Sequence, residues 1–136
     1  MRYFSISALA FTIATMLAGC QTTATGPSTS PVTTSDGFLR ISTRDDMAPI
    51  IGRRLAFQGE DFVVINADGT LLGEFGGVVT AGTWEMVDGF WCRTLTAGPE
   101  RALTNNPTDC QLFERNGDTL RGTRDRGQGT QFEYTI

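Results

Sequence analysis

Apolar residues follow two different rhythms along the chain. From Ile6 to Leu17 they run almost without interruption, broken only by small hydroxyl side chains. The run is too short to cross a bilayer as a permanent helix, and Arg2 ahead of it gives the charged start of a secretory signal. From Gln21 to Gly37 the rhythm disappears: nearly every residue is Thr, Ser, Ala, Gly or Pro, and Val32 is the only sizeable apolar side chain. Such a stretch has no face to bury and is expected to be a flexible tether. The expected organisation is therefore a signal at residues 1–19, a tether at 20–37 and one folded domain at 38–136, long enough for a single small core.

Within that domain the pattern is strand and turn. A short helix is expected near its start, with Ser42 or Thr43 capping it, Asp45 and Asp46 at its positive end, and Met47, Ile50 and Ile51 facing inward. Pro49 keeps it short and Gly52 ends it. Strands are then expected at 54–57, 61–66, 70–75, 79–87, 90–95, 109–115, 118–124 and 131–136, several of them joined by tight turns at Ala67-Asp68-Gly69, Asp88-Gly89 and Asn116-Gly117. Many short strands with tight turns predict a mainly β fold, a small antiparallel barrel or sandwich.

Composition narrows the chemistry. The chain has no histidine, which removes histidine-based triads, acid–base pairs and metal sites; no metal or cofactor is expected. Fifteen carboxylates against eleven basic residues, with no basic run, argue against nucleic acid as a partner. Glu85 with Asp88, or Asp109 with Glu114, are the available carboxylate pairs, and each is expected to face water. Arg121, Arg124 and Arg126 form a cationic cluster, expected to pair locally with Asp118 and Asp125. Cys92 and Cys110 are expected to form a structural disulfide in an oxidising compartment. Trp84, Phe90, Trp91 and Arg93 share one hairpin. Alternation sends Phe90 and Trp91 to opposite faces, so this group is the candidate binding surface.

Two resemblances add to this reading. Leu17-Ala18-Gly19-Cys20, directly after the apolar run, resembles the lipobox of bacterial lipoproteins. That resemblance implies cleavage before Cys20, acylation of its thiol and partnership with the lipid bilayer. Gln21 in place of Asp implies the periplasmic face of the outer membrane. Separately, Gly52-Arg53-Arg54-Leu55, Gly82-Thr83-Trp84-Glu85, Gly89-Phe90-Trp91-Cys92-Arg93, Asp109-Cys110-Gln111 and Asp125-Arg126-Gly127 resemble a group of small secreted alphaproteobacterial proteins. Its members carry plain signal peptides and are often labelled dihydrodipicolinate reductase. That activity needs a strand, a glycine-rich turn and a phosphate-facing helix. The nearest glycine cluster here, Gly73-Glu74-Phe75-Gly76-Gly77, runs into strand-like residues instead. The expectation is a lipid-anchored binding or envelope structural protein, with an envelope protein as partner and no enzymatic activity. The alternative is a barrel similar to periplasmic protease inhibitors.

Overall fold

The computed structural model describes residues 33–99 and 108–136. Cys20, with the expected signal and the tether as far as Val32, lies outside the described residues. Among the described residues there are nine strands: β1 (Leu39–Ile41), β2 (Arg54–Ala56), β3 (Phe62–Ile65), β4 (Thr70–Phe75), β5 (Val78–Val87), β6 (Phe90–Ala97), β7 (Thr108–Asn116), β8 (Thr119–Thr123) and β9 (Gln131–Thr135). Strands β2 to β9 pair in sequence order, each antiparallel to the next, and β9 returns to β2. The fold is thus mainly β, an eight-stranded antiparallel barrel. Strand β1 adds to β7, opposite Phe113–Arg115. Three residues are too few for alternation to stand out, and β1 was not expected from the sequence.

Tight turns set the meander. Gly76-Gly77 and Asp88-Gly89 each have positive φ at both positions, which suits the right-handed twist of the flanking strands. The glycine cluster considered for a nucleotide is therefore the end of β4 and a hairpin turn. The expected helix is a single 3-10 turn, Asp45–Met47. Thr43 and Asp46 hold it: the Asp46 carboxylate accepts from the backbone N–H of Ser42 and Thr43, and the Thr43 hydroxyl accepts from the Asp46 N–H. Met47 and Ile50 are fully buried beneath it. The Gly52 N–H donates to the Ile65 carbonyl, and Arg44 reaches the Ala67 carbonyl, so residues 42–53 pack at the same end as the β3–β4 turn.

Alternation decides what fills the barrel. Leu55, Ile65, Leu71, Trp84, Trp91 and Phe113 point inward and are at most 4% exposed. The wall is tightly coiled where β3, β4, β5 and β6 run side by side. A Cβ on Gly73 would stand 2.2 Å from the Phe62 carbonyl oxygen, and one on Gly82 would stand 2.3 Å from the Thr94 oxygen. The β5–β6 register shifts between Ala81 and Gly82, a bulge that helps bend the wall. Cys92 and Cys110 are bonded and are direct register partners. The bridge clamps β6 to β7 just below the long connection between them.

Gly82→Ala should therefore cost about 1–3 kcal/mol, the range for forcing atoms into a filled space. Urea unfolding followed by circular dichroism would read this as a lower midpoint with an unchanged native spectrum.

Candidate binding site inside the barrel

The candidate hairpin residues separate. Trp84 and Trp91 turn inward and are core, 4% and 3% exposed, so they are corrected out of the candidate surface. Trp84 donates its indole N–H to the Asn66 carbonyl at 2.9 Å, and Trp91 stacks on Phe113 with ring centroids 4.5 Å apart. Phe90 is the outward aromatic, but its ring already lies between two guanidinium groups, Arg40 at 5.1 Å and Arg126 at 5.2 Å. Arg93 has the inward parity of Trp91 and Leu95. It is the member of the group that brings chemistry into the barrel.

Its surroundings come from β5 and β7 beside it, from β9 and from the turn after β8. Arg93 pairs in register with Trp84 on one side and Asp109 on the other. Asp109, Gln111 and Phe113 share one face of β7. Gln111 is 1% exposed and donates to the Asp109 carboxylate at 2.6 Å. Arg124 lies 3.8 Å from the same carboxylate. Tyr134, on β9, is buried, and burial raises its pKa while Arg93 and Arg124 act in the opposite direction. Burial lowers the pKa of Arg93; Tyr134 opposes that shift, Arg124 reinforces it and Asp109 opposes it. Tyr134 also belongs to an aromatic cluster with Phe57, Phe75 and Phe132, whose adjacent rings are 5.4 to 6.3 Å apart. These phenylalanines are partly buried against the core.

Three polar atoms in this region have no hydrogen-bond partner although they are buried: Arg93 Nε, Trp91 Nε1 and Gln111 Oε1. Trp91 and Gln111 are register partners, as are Arg93 and Asp109, so the three atoms belong to adjacent inward positions of β6 and β7. Sequence reasoning missed Gln111 and Tyr134 as site residues, and weighed Asp109 only as a water-facing carboxylate and Arg124 only as a locally paired cation. A signal was present, since two polar residues precede Phe113 in the inward row of β7.

The arginine cluster also differs from expectation. Arg121 pairs with Glu114 at 3.0 Å and with Asp36, Arg124 with Asp109, and Arg126 with Asp88 at 3.5 Å. The partners come from other elements rather than from Asp118 and Asp125. A cleft of about 370 Å3 beside the disulfide is lined by Thr108, Asp109, Cys110, Asp125, Arg126 and Gln128. Asp125 and Arg126 border it from a left-handed turn, with φ of 50° and 54°.

Asp36 belongs to a latch on the outer wall. Thr33 bridges to Leu39, Arg121 covers the Phe38 ring at 3.8 Å, and the turn from Thr34 to Gly37 is closed by backbone hydrogen bonds. The described structure already includes Thr33, five residues ahead of the expected domain start, with Asp36 and Phe38 both held by Arg121 of β8. Comparison with family models, with curated proteins and with solved structures returned no match.

The latch should respond to acid. Hydrogen bonds from Arg121 and then from Thr34 hold the Asp36 carboxyl well below its ordinary value of 3.8. A carboxyl depressed in the folded state stabilises it fully above that ordinary value, and the contribution fades as pH falls further. Carbon-detected NMR titration should show Asp36 keeping its charge below pH 3.8, and Arg121→Gln should return it to the ordinary range. An unshifted Asp36 in the unaltered chain would remove the latch from the account.

Proposed function

We propose that this chain is a periplasmic lipoprotein, anchored to the outer membrane through acylated Cys20, whose barrel is a binding module rather than an enzyme. The observation that supports a binding role is the inward layer of Arg93, Gln111 and Tyr134. Buried polar atoms without partners are uncommon in barrel cores and mark places where another molecule can supply the missing bonds. The carboxylates offer a poor basis for hydrolysis: Asp109 and Glu114, five residues apart on β7, face opposite sides of the wall, while Asp88 is paired with Arg126. The glycines of residues 73–77 form a hairpin rather than a strand-to-helix turn, which counts against the nicotinamide reductase activity of the resembling group.

The anchoring half of the reading rests on the Leu17-Ala18-Gly19-Cys20 motif that follows the apolar run. A protease-inhibitor role is the second reading. The β4–β5 hairpin supports it, because its Gly76-Gly77 tip is followed by Val78 and Val79, 44% and 59% exposed, as a segment able to enter a cleft.

Intact mass of the protein extracted from membranes tests the anchor. The expected mass begins at Cys20, includes acyl chains and lacks the two hydrogens lost on forming the Cys92–Cys110 bond. A mature chain beginning elsewhere, or one without acyl mass, would refute the lipoprotein reading.

A further inference from the structure

Exposed apolar surface is concentrated on one hairpin. Among the described residues four large apolar side chains stand exposed, and three of them, Leu72, Val78 and Val79, belong to β4 and β5. Leu71 and Thr80 beside them fill the barrel, so alternation turns Leu72 and Val79 outward. The register sets neighbours next to them. Leu72 pairs with Val64 on β3, and Val64 with Arg54 on β2. Two residues along, Glu74 pairs with Phe62 and with Val79. Arg54 lies over the Phe62 ring at 4.3 Å, on the wall face opposite to the buried Leu55. A patch of this kind, apolar and bordered by charge, marks a surface that meets another protein.

The two charges of the patch lack counter-ions. Arg54 donates to the Glu60 carbonyl at 3.1 Å, but among the described residues no ion pair includes Arg54 or Glu74. They flank β3, Arg54 on β2 and Glu74 on β4, with Val64 and Phe62 between them. That arrangement is complementary to itself. A two-fold axis in the plane of contact, crossing the line from Arg54 to Glu74 midway and at right angles, sets each copy's Arg54 against the other's Glu74. The same axis sets Val64 of each copy against Leu72 of the other, as an isologous contact requires. A bilayer suits this face poorly, because the Glu74 carboxylate would enter hydrocarbon together with Leu72 and Val79. A convex wall of three strands offers less area than a standard interface, which puts the contact in the weak, reversible class.

We propose that the outer face of β2, β3 and β4 docks a second copy of this chain, through reciprocal Arg54–Glu74 ion pairs around an apolar centre of Val64 and Leu72. This goes beyond the binding-module reading. It uses the outside of the barrel only and does not depend on the lipid anchor.

The test uses the full mature chain carrying Val79→p-benzoylphenylalanine as a photo-cross-linking probe. It is held in phosphatidylcholine vesicles or, for chain that does not join them, at about 1 mM in solution, the local concentration that tethering supplies. Irradiation should give a covalent dimer, with the cross-link on β2, β3 or β4 of the other copy by mass spectrometry. Arg54→Glu and Glu74→Arg should each lower the dimer yield ~10-fold, because each sets like charges face to face. Their thermal midpoints should stay close to that of the unaltered chain, since both positions are exposed. An equal mixture of the two variants should restore the yield, because every contact between unlike copies again joins opposite charges. If either variant does not fold, Leu72→Gln decides: it keeps both charges, removes apolar contact and should also lower the yield ~10-fold. Cross-linking that ignores the charge swaps, or a mixture that stays monomeric, would overturn the reciprocal pairing. No dimer from the probe alone, or capture in cells of a different protein and never of a second copy, would overturn the second copy as occupant.

Discussion

The barrel closes where β2 meets β9, and nearly everything described above depends on that seam. It has one pair in register, Ala56 with Thr135, whereas β8 and β9 match along five positions. Side chains supply what the ladder does not. The Phe57 ring reaches over the seam to Phe132 and Tyr134, and aromatic contacts of this kind add about 0.5–1.5 kcal/mol each beyond the area they bury. The last residue also takes part, because the Ile136 N–H donates to the Asp118 carbonyl at the neighbouring turn. With the seam closed, eight strands enclose an interior just wide enough for side chains to fill. With it open, the face carrying Arg93, Gln111 and Tyr134 would be the wetted surface of a curled sheet.

Several elements outside the barrel ladder help to fill and fix the interior. Residues 42–53 place Met47 and Ile50 under the end that holds the β3–β4 turn. Tyr134 and Phe132 of β9 meet Phe57 across the seam, and Phe75 of β4 packs on Phe57. The disulfide fixes β6 against β7 at the level of Arg93, Asp109 and Gln111. A covalent clamp there limits how far the two strands can separate. The outer wall serves a different purpose, holding the latch through Arg121 and leaving the interior free of it.

Much of the wall was legible in the sequence. The eight barrel strands, the Asp88-Gly89 turn, the short capped helix with Met47 and Ile50 inward, and the Cys92–Cys110 bond all follow from local chemistry that the fold respects. Barrel and sandwich could not be told apart, because closure depends on Ala56 meeting Thr135 across nearly the whole domain. The site was legible only in part. Alternation separated Phe90 from Trp91 but could not say which faced inward, since that parity is fixed by the neighbours on β5 and β7. Arg93 was singled out as a surface residue beside aromatics. Its inward direction follows from pairing with Trp84 and Asp109, which no local pattern encodes. Asp36 and Phe38 were hidden for the same reason: they lie in or beside a polar stretch, and the side chain that holds both, Arg121, is distant in sequence.

The most direct test is the seam itself. In a nuclear Overhauser spectrum of the folded chain, a closed barrel gives cross-peaks between the backbones of Ala56 and Thr135 and between the rings of Phe57 and Phe132. The account predicts both sets of peaks, with the Tyr134 ring protons joined to the same network. Their absence, together with rapid amide exchange along β2 and β9 as on free sheet edges, would contradict the closed barrel and with it the inward placement of Arg93.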